Sequence, residues 1–159
     1  MKKIICAVLV VLISMSCILA NAENGVAKEE QMFANAKQAL ILMAEKEYAS
    51  ALKLLELEKI LTEKELTGRI EKNCSALVGM EPQTQYAVYW TVKENGYLAV
   101  PFEDPTDGFV MSVVYVLNDS LEFTDIVFAE WADIAESYEA SDNVIWNIEY
   151  APEYIVIID

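Results

Sequence analysis

Tyr86-Ala87-Val88-Tyr89-Trp90-Thr91-Val92-Lys93, then Glu94, Asn95 and Gly96, then Tyr97-Leu98-Ala99-Val100-Pro101-Phe102: two runs rich in aromatic and β-branched side chains flank an Asn-Gly pair. Such side chains suit a pleated, partly buried surface, and Asn-Gly readily takes the left-handed backbone of a tight hairpin loop. The spacing predicts a hairpin with strands over 86–93 and 97–102, turning at Asn95-Gly96. Downstream, Phe109 to Leu117 is apolar on both faces except for Ser112, the pattern of a central strand covered on both sides.

Asn118-Asp119-Ser120 predicts a turn. Leu121 to Phe128 can open as a strand, yet from Val127 onward Val127, Trp131, Ile134 and Tyr138 fall on one helical face with acids on the other. That spacing predicts a helix running from about Val127 to Ala140, broken by Ser141-Asp142-Asn143. Val144, Trp146, Ile148 and Tyr150 then alternate with polar residues as a half-buried strand, and Tyr154 to Ile158 reads as a final strand after Ala151-Pro152-Glu153.

Upstream the periodicity is helical. Residues 26–74 have no proline, and no glycine between Gly25 and Gly68. Phe33, Ala36, Leu40 and Met43 make one apolar stripe. Tyr48, Ala51, Leu55 and Ile60 or Leu61 make a second. The two stripes fit either one long helix or a pair turning near Glu45-Lys46-Glu47, where no helix breaker stands. Thr62-Glu63-Lys64-Glu65 has the form of a capping box, so a further helix is expected from there toward Cys74. The segment 47–56 resembles the middle of a tetratricopeptide repeat in its Tyr48 and Ala51, but Glu45 stands where that family has glycine and no second copy follows, so it reads as helix packing. Ser75 to Thr84, with Gly79 and Pro82, connects the halves. The expected fold class is α+β: N-terminal helices packed on an antiparallel sheet of about five strands, with one inserted helix.

The first twenty-two residues carry a different signal. Lys2 and Lys3 precede an apolar run from Ile4 to Ile18, and Ala20-Asn21-Ala22 has the A-x-A form of a signal-peptidase site. The run is short for a membrane span. The other two readings are an uncleaved anchor and acylation at Cys17. The expectation is a bacterial-style secretory signal over 1–22 with cleavage after Ala22, a single domain over 23–159 (helical over 26–74, mainly β over 84–159), a periplasmic or secreted location and no membrane insertion afterwards. Cys6 and Cys17 leave with the signal, so Cys74 has no internal partner; it is either buried or bonded to another molecule.

Composition excludes more than it suggests. The chain has no histidine, which removes Ser-His and Cys-His nucleophiles and His-ligated metals. Arg69 is its sole arginine, which supplies bidentate phosphate recognition poorly. Glu103-Asp104-Pro105-Thr106-Asp107-Gly108 is a dense acidic turn, but Pro105 and Val114 stand where an EF-hand needs oxygen ligands, so no metal and no cofactor are assigned. Loss of Lys2 and Lys3 takes the formal net charge from −15 to −17. From Glu81 onward there are 16 acids and one base, Lys93, and 14 of the 16 aromatic residues lie there too. Such a field repels nucleic acid and steers cationic partners inward. Asp125, Glu130, Asp133, Glu136 and Glu139 decorate the expected late helix, beside Trp131 and with no bases to pair. They repel one another at that spacing, a cost that a basic surface would relieve.

The leading expectation is therefore an exported, non-catalytic acidic protein of inhibitor or immunity type, engaging a basic protein or peptide through Glu130, Asp133, Glu136, Glu139 and Trp131. One alternative is a small-molecule-binding fold with an aromatic-lined pocket reaching Trp90, Trp131 or Trp146. The other is a weak hydrolase built on paired carboxylates.

Overall fold

The computed structural model describes residues 27–74, 77–78, 80–82, 86–103, 108, 110–139, 141 and 143–148. The signal segment, Asp104 to Asp107 of the acidic turn and the expected strand Tyr154 to Ile158 lie outside them. The chain divides into two compact units, 1–32 and 33–159. In the first, the described residues 27–32 are helical. The second holds the α+β fold.

That unit begins with helix α1, residues 33–44, followed by α2 (Tyr48–Leu54) and α3 (Glu63–Asn73). Of the two readings of the N-terminal stripes, the chain takes the turn at Glu45-Lys46-Glu47. Lys46 adopts a left-handed φ of 66°. Its amide donates to the Met43 carbonyl at 3.1 Å, and the Glu47 amide donates to the Leu42 carbonyl at 2.8 Å. This pair of bonds is a Schellman stop, usually built on glycine. The device repeats at Glu56, with φ 57° and the Leu57 amide on the Leu52 carbonyl at 2.8 Å. Leu61, not Ile60, completes the second stripe: Leu61 is 3% exposed and Ile60 is 62% exposed.

The capping box at α3 is present as its sequence predicts. The Glu65 amide donates to Thr62 Oγ1 at 3.3 Å, and the Thr62 amide donates to Glu65 Oε2 at 2.8 Å. Thr62 Oγ1 also donates to Oε2 at 2.7 Å. These bonds to Thr62 favour the charged carboxylate and lower the Glu65 pKa.

The sheet is antiparallel and holds β1 (Glu81–Pro82), β2 (Tyr86–Val92), β3 (Asn95–Glu103), β4 (Val110–Leu117), β5 (Phe123–Glu130) and β6 (Asn143–Ile148). Its main order is β5-β4-β3-β2-β6, with the short β1 paired to β3. Strands β2 to β5 form a meander. The inserted helix α4 (Trp131–Glu139) then takes the chain to the opposite edge, where β6 pairs with β2.

Two boundaries differ from the sequence reading. The hairpin turns at Lys93-Glu94, because Val92 pairs with Asn95. Lys93 supplies the left-handed φ, 57°, that the loop requires. Gly96 instead lies within β3 under the ring of Tyr89: a Cβ there would stand 2.7 Å from Tyr89 Oη. The glycine serves close approach, not the turn. Second, the late helix starts at Trp131, not Val127. Val127 and Ala129 pair with Val114 and Ser112 of β4, so sheet pairing decides a stretch whose apolar positions fit both periods.

Alternation along β4 sends neighbours to opposite layers. Val114 joins Val88, Trp90, Ala99 and Ile134 in the core beneath α4. Tyr115 faces the other way, fully buried, and its Oη donates to the Ala36 carbonyl of α1 at 2.8 Å. Burial pushes the Tyr115 hydroxyl pKa well above its ordinary value, keeping it protonated as a donor. Ser112, on the α4 side, is fully buried and its Oγ has no hydrogen-bond partner among the described residues.

Two stability predictions follow from these contacts. Lys46→Gly should raise stability by about 1 kcal/mol by removing the Cβ conflict of a left-handed residue, whereas Lys46→Val should lower it. Chemical denaturation midpoints of the two variants check this, and equal midpoints would refute it. Removing the orphaned hydroxyl by Ser112→Ala should stabilise by about 1 kcal/mol, and Tyr115→Phe should cost about as much by removing a satisfied bond. Urea titration of both variants distinguishes the two signs.

Candidate functional site

Helix α4 sorts its residues cleanly. Trp131, Ile134 and Tyr138 turn toward the sheet, and Ala132, Asp133, Glu136 and Ser137 are exposed. Inward packing is aromatic: Trp131 meets Tyr86 edge-on with ring centroids 5.7 Å apart, and Tyr138 meets Trp90 edge-on at 6.4 Å. Trp90 in turn stacks on Tyr97 at 5.6 Å and is 3% exposed. Pairs of this kind add about 0.5–1.5 kcal/mol beyond area burial and fix the helix to the sheet.

The sequence-predicted residues are only partly brought together. Asp133 and Glu136 stand exposed on the outer side of α4. Glu130 is also exposed, but it ends β5 and does not belong to the helix. Trp131 is half-buried and engaged with Tyr86, so it anchors α4 to the sheet. Glu139 is the last residue of α4, and its side chain lies outside the described set. Asp125, expected on the helix, lies on β5 and is engaged by Arg69 Nη1 at 2.5 Å. The expectation that these acids lack a base therefore fails for Asp125. With the two side chains 37% and 42% exposed, solvent screens this pair, and its direct contribution to stability is about 0–1 kcal/mol. Sequence reasoning missed the contact because 56 residues separate its partners; the sole arginine was its one visible signal.

Among the described residues no salt bridge engages Asp133 or Glu136, and the last turn of α4 holds no basic residue. Asp133 stands in the first turn, where the macrodipole favours an acid, whereas Glu136 lies nearer the C-terminal end, whose negative pole opposes it. The outer side of α4 thus presents two exposed carboxylates, Asp133 and Glu136, with no salt bridge among the described residues.

Elsewhere, an open depression of about 380 Å³ lies at the tips of the two hairpins, lined by Glu94, Asn95, Leu117, Asn118, Asp119, Ser120 and Thr124. Asn118 organises its floor: Oδ1 accepts from the Ser120 and Glu122 amides at 2.9 and 3.0 Å, and Nδ2 donates to Glu122 Oε2 at 2.8 Å. Neither Trp90 nor Trp131 lines it, and Trp146's side chain is outside the described set. Among the described residues no cluster of three or more cysteine or acidic side chains is placed to hold a metal ion. No helix there is long and apolar enough to cross a membrane.

Cys74 caps α3 and is 6% exposed. Burial pushes its thiol up to about 11, partly offset by a bond from the Leu77 backbone. A thiol this buried and this protonated is a weak nucleophile. Its folded pKa lies above its ordinary value, so the neutral thiol contributes stability that is fully present below about 9 and lost as pH rises toward 11. Native protein at pH 8 should therefore react with a disulfide reagent far more slowly than unfolded protein. Rapid labelling of the native state would show an exposed thiol.

No family model, no curated protein and no solved structure matches this chain.

Proposed function

We propose that the protein is exported and acts as a non-catalytic binding module, engaging a basic protein or peptide through the outer side of α4 and the adjoining Glu130. An inhibitor or immunity-type role against a cationic protein of the cell envelope is the concrete form of this reading. The observation that carries it is the exposed pair Asp133 and Glu136, with no described base beside them and no base in the last helical turn. A cationic partner would relieve their mutual repulsion at i, i+3 spacing. The signal-like residues 1–22, the acidity of the chain beyond Glu81 and the absence of histidine support the same reading. The described depression is polar and open, so it lends nothing to an aromatic-lined ligand pocket.

The test is capture from native envelope extract with the purified protein as bait, washed at low and then high salt, followed by kinetics with the captured protein. A triple variant, Glu130→Lys with Asp133→Lys and Glu136→Lys, should associate roughly ten-fold or more slowly at low ionic strength and lose most of its salt dependence. An unchanged association rate would move the interface away from α4. Failure to retain any salt-sensitive protein would count against the binding-module reading itself.

A further inference from the structure

The outer side of an edge strand is a row of unpaired amides and carbonyls, ready to template another strand. β5 is such a strand: it lies outside β4, and among the described residues no strand lies beyond it. Its sequence, Phe123 to Glu130, carries Phe123, Ile126, Val127 and Phe128 with no proline and no lysine, and Val127 is 41% exposed. By composition this edge would pair readily.

The middle of the edge is nevertheless occupied. The Ile126 amide donates to Asp125 Oδ1 at 2.8 Å. The Ile126 carbonyl accepts from Arg69 Nη1 at 2.7 Å, and the same Nη1 donates to Asp125 Oδ1 at 2.5 Å. In an antiparallel strand the amide and carbonyl of one residue point to the same side. The carboxylate and the guanidinium therefore occupy the two positions that an added strand would use. Arg69 projects from α3, a separate and well-capped helix, so the block is held from outside the strand. Its guanidinium is planar and permanently charged, with several donors in fixed directions; a lysine ammonium lacks that geometry.

We propose that Arg69 and Asp125 form an edge guard that keeps β5 from pairing with β5 of a second copy of this chain. The occupant excluded is a second copy because antiparallel pairing about a two-fold axis at Ile126 is self-complementary. It sets Asp125 of one copy against Val127 of the other and Thr124 against Phe128, so the two Asp125 carboxylates do not face each other. With the guard in place, the Ile126 groups are already satisfied and a second strand gains nothing there.

The experiment is sedimentation velocity over a concentration series at physiological ionic strength, on protein purified after export, with circular dichroism to verify folding. Arg69→Ala should self-associate at least ten-fold more tightly than the parent. Adding Val127→Glu, which sets a second carboxylate against Asp125 across the pairing surface, should restore the parent's behaviour. Asp125→Ala, which frees the Ile126 amide, should move in the same direction as Arg69→Ala and serves as the readout if the latter does not fold. Parent-like sedimentation of the folded variants would overturn the guard. So would an Arg69→Ala dimer indifferent to Val127→Glu, because its contact would lie elsewhere.

Discussion

Residues 112–115 of β4 are buried on both faces of the sheet, and this constraint places most of the remaining chain. A strand with no solvent side needs a layer above and a layer below. Below, Tyr115 sends its hydroxyl to a main-chain carbonyl of α1, so one of the largest buried side chains also fixes the position of the helix that covers it. Above, Val114 and Ala99 present small side chains to α4, and Trp131, Ile134 and Tyr138 fill the space. The long connection from β5 to β6 follows from the same need. Its helix must cross the sheet because the surface over Val88, Trp90 and Val114 would otherwise be exposed.

The features legible in the sequence are those fixed by near neighbours. The capping box at Thr62 is a four-residue arrangement and forms as written. The two-sided apolar run of β4 and the change from helical to alternating periodicity near residue 80 are likewise local, and they carry the fold class. The errors have two origins: a glycine or an apolar period has more than one use, and a left-handed turn can be made by a residue without a turn signature. Asn95-Gly96 looked like the turn, but Tyr89, seven residues upstream, needs that glycine beneath its ring. The turns at Lys46, Glu56 and Lys93 are made by charged, solvent-facing residues in the left-handed region, which carry no turn signature. In 121–130 the strand and helix periods agree on the same apolar positions, and the register with β4 separates them only in three dimensions.

The candidate site divides along the same line. The net acidity of the second half is a property of composition and could be read directly. Which acids stand together could not. Glu130 ends a strand, Asp125 is bound by Arg69, and Trp131 is committed to Tyr86, so among the described side chains Asp133 and Glu136 are the acids that stand exposed on α4 itself.

The two electrostatic features of this protein act over different ranges, and that difference explains how they coexist. The overall negative charge opposes the approach of a second copy at separations up to about a Debye length, roughly 8 Å at physiological ionic strength. It does nothing to distinguish one surface from another, and added salt removes it. Strand pairing is a contact interaction, driven by main-chain hydrogen bonds and cross-strand side chains that salt hardly weakens. A uniformly acidic chain with an apolar edge strand would therefore be protected at a distance and unprotected on contact. Its single arginine sits at the middle of that edge, where one guanidinium satisfies a carboxylate and a backbone carbonyl together. The same placement leaves no arginine to compensate the acids on α4. The guanidinium is engaged at the middle of the β5 edge, while Asp133 and Glu136 stand exposed on α4, the surface that the proposed cationic partner would use.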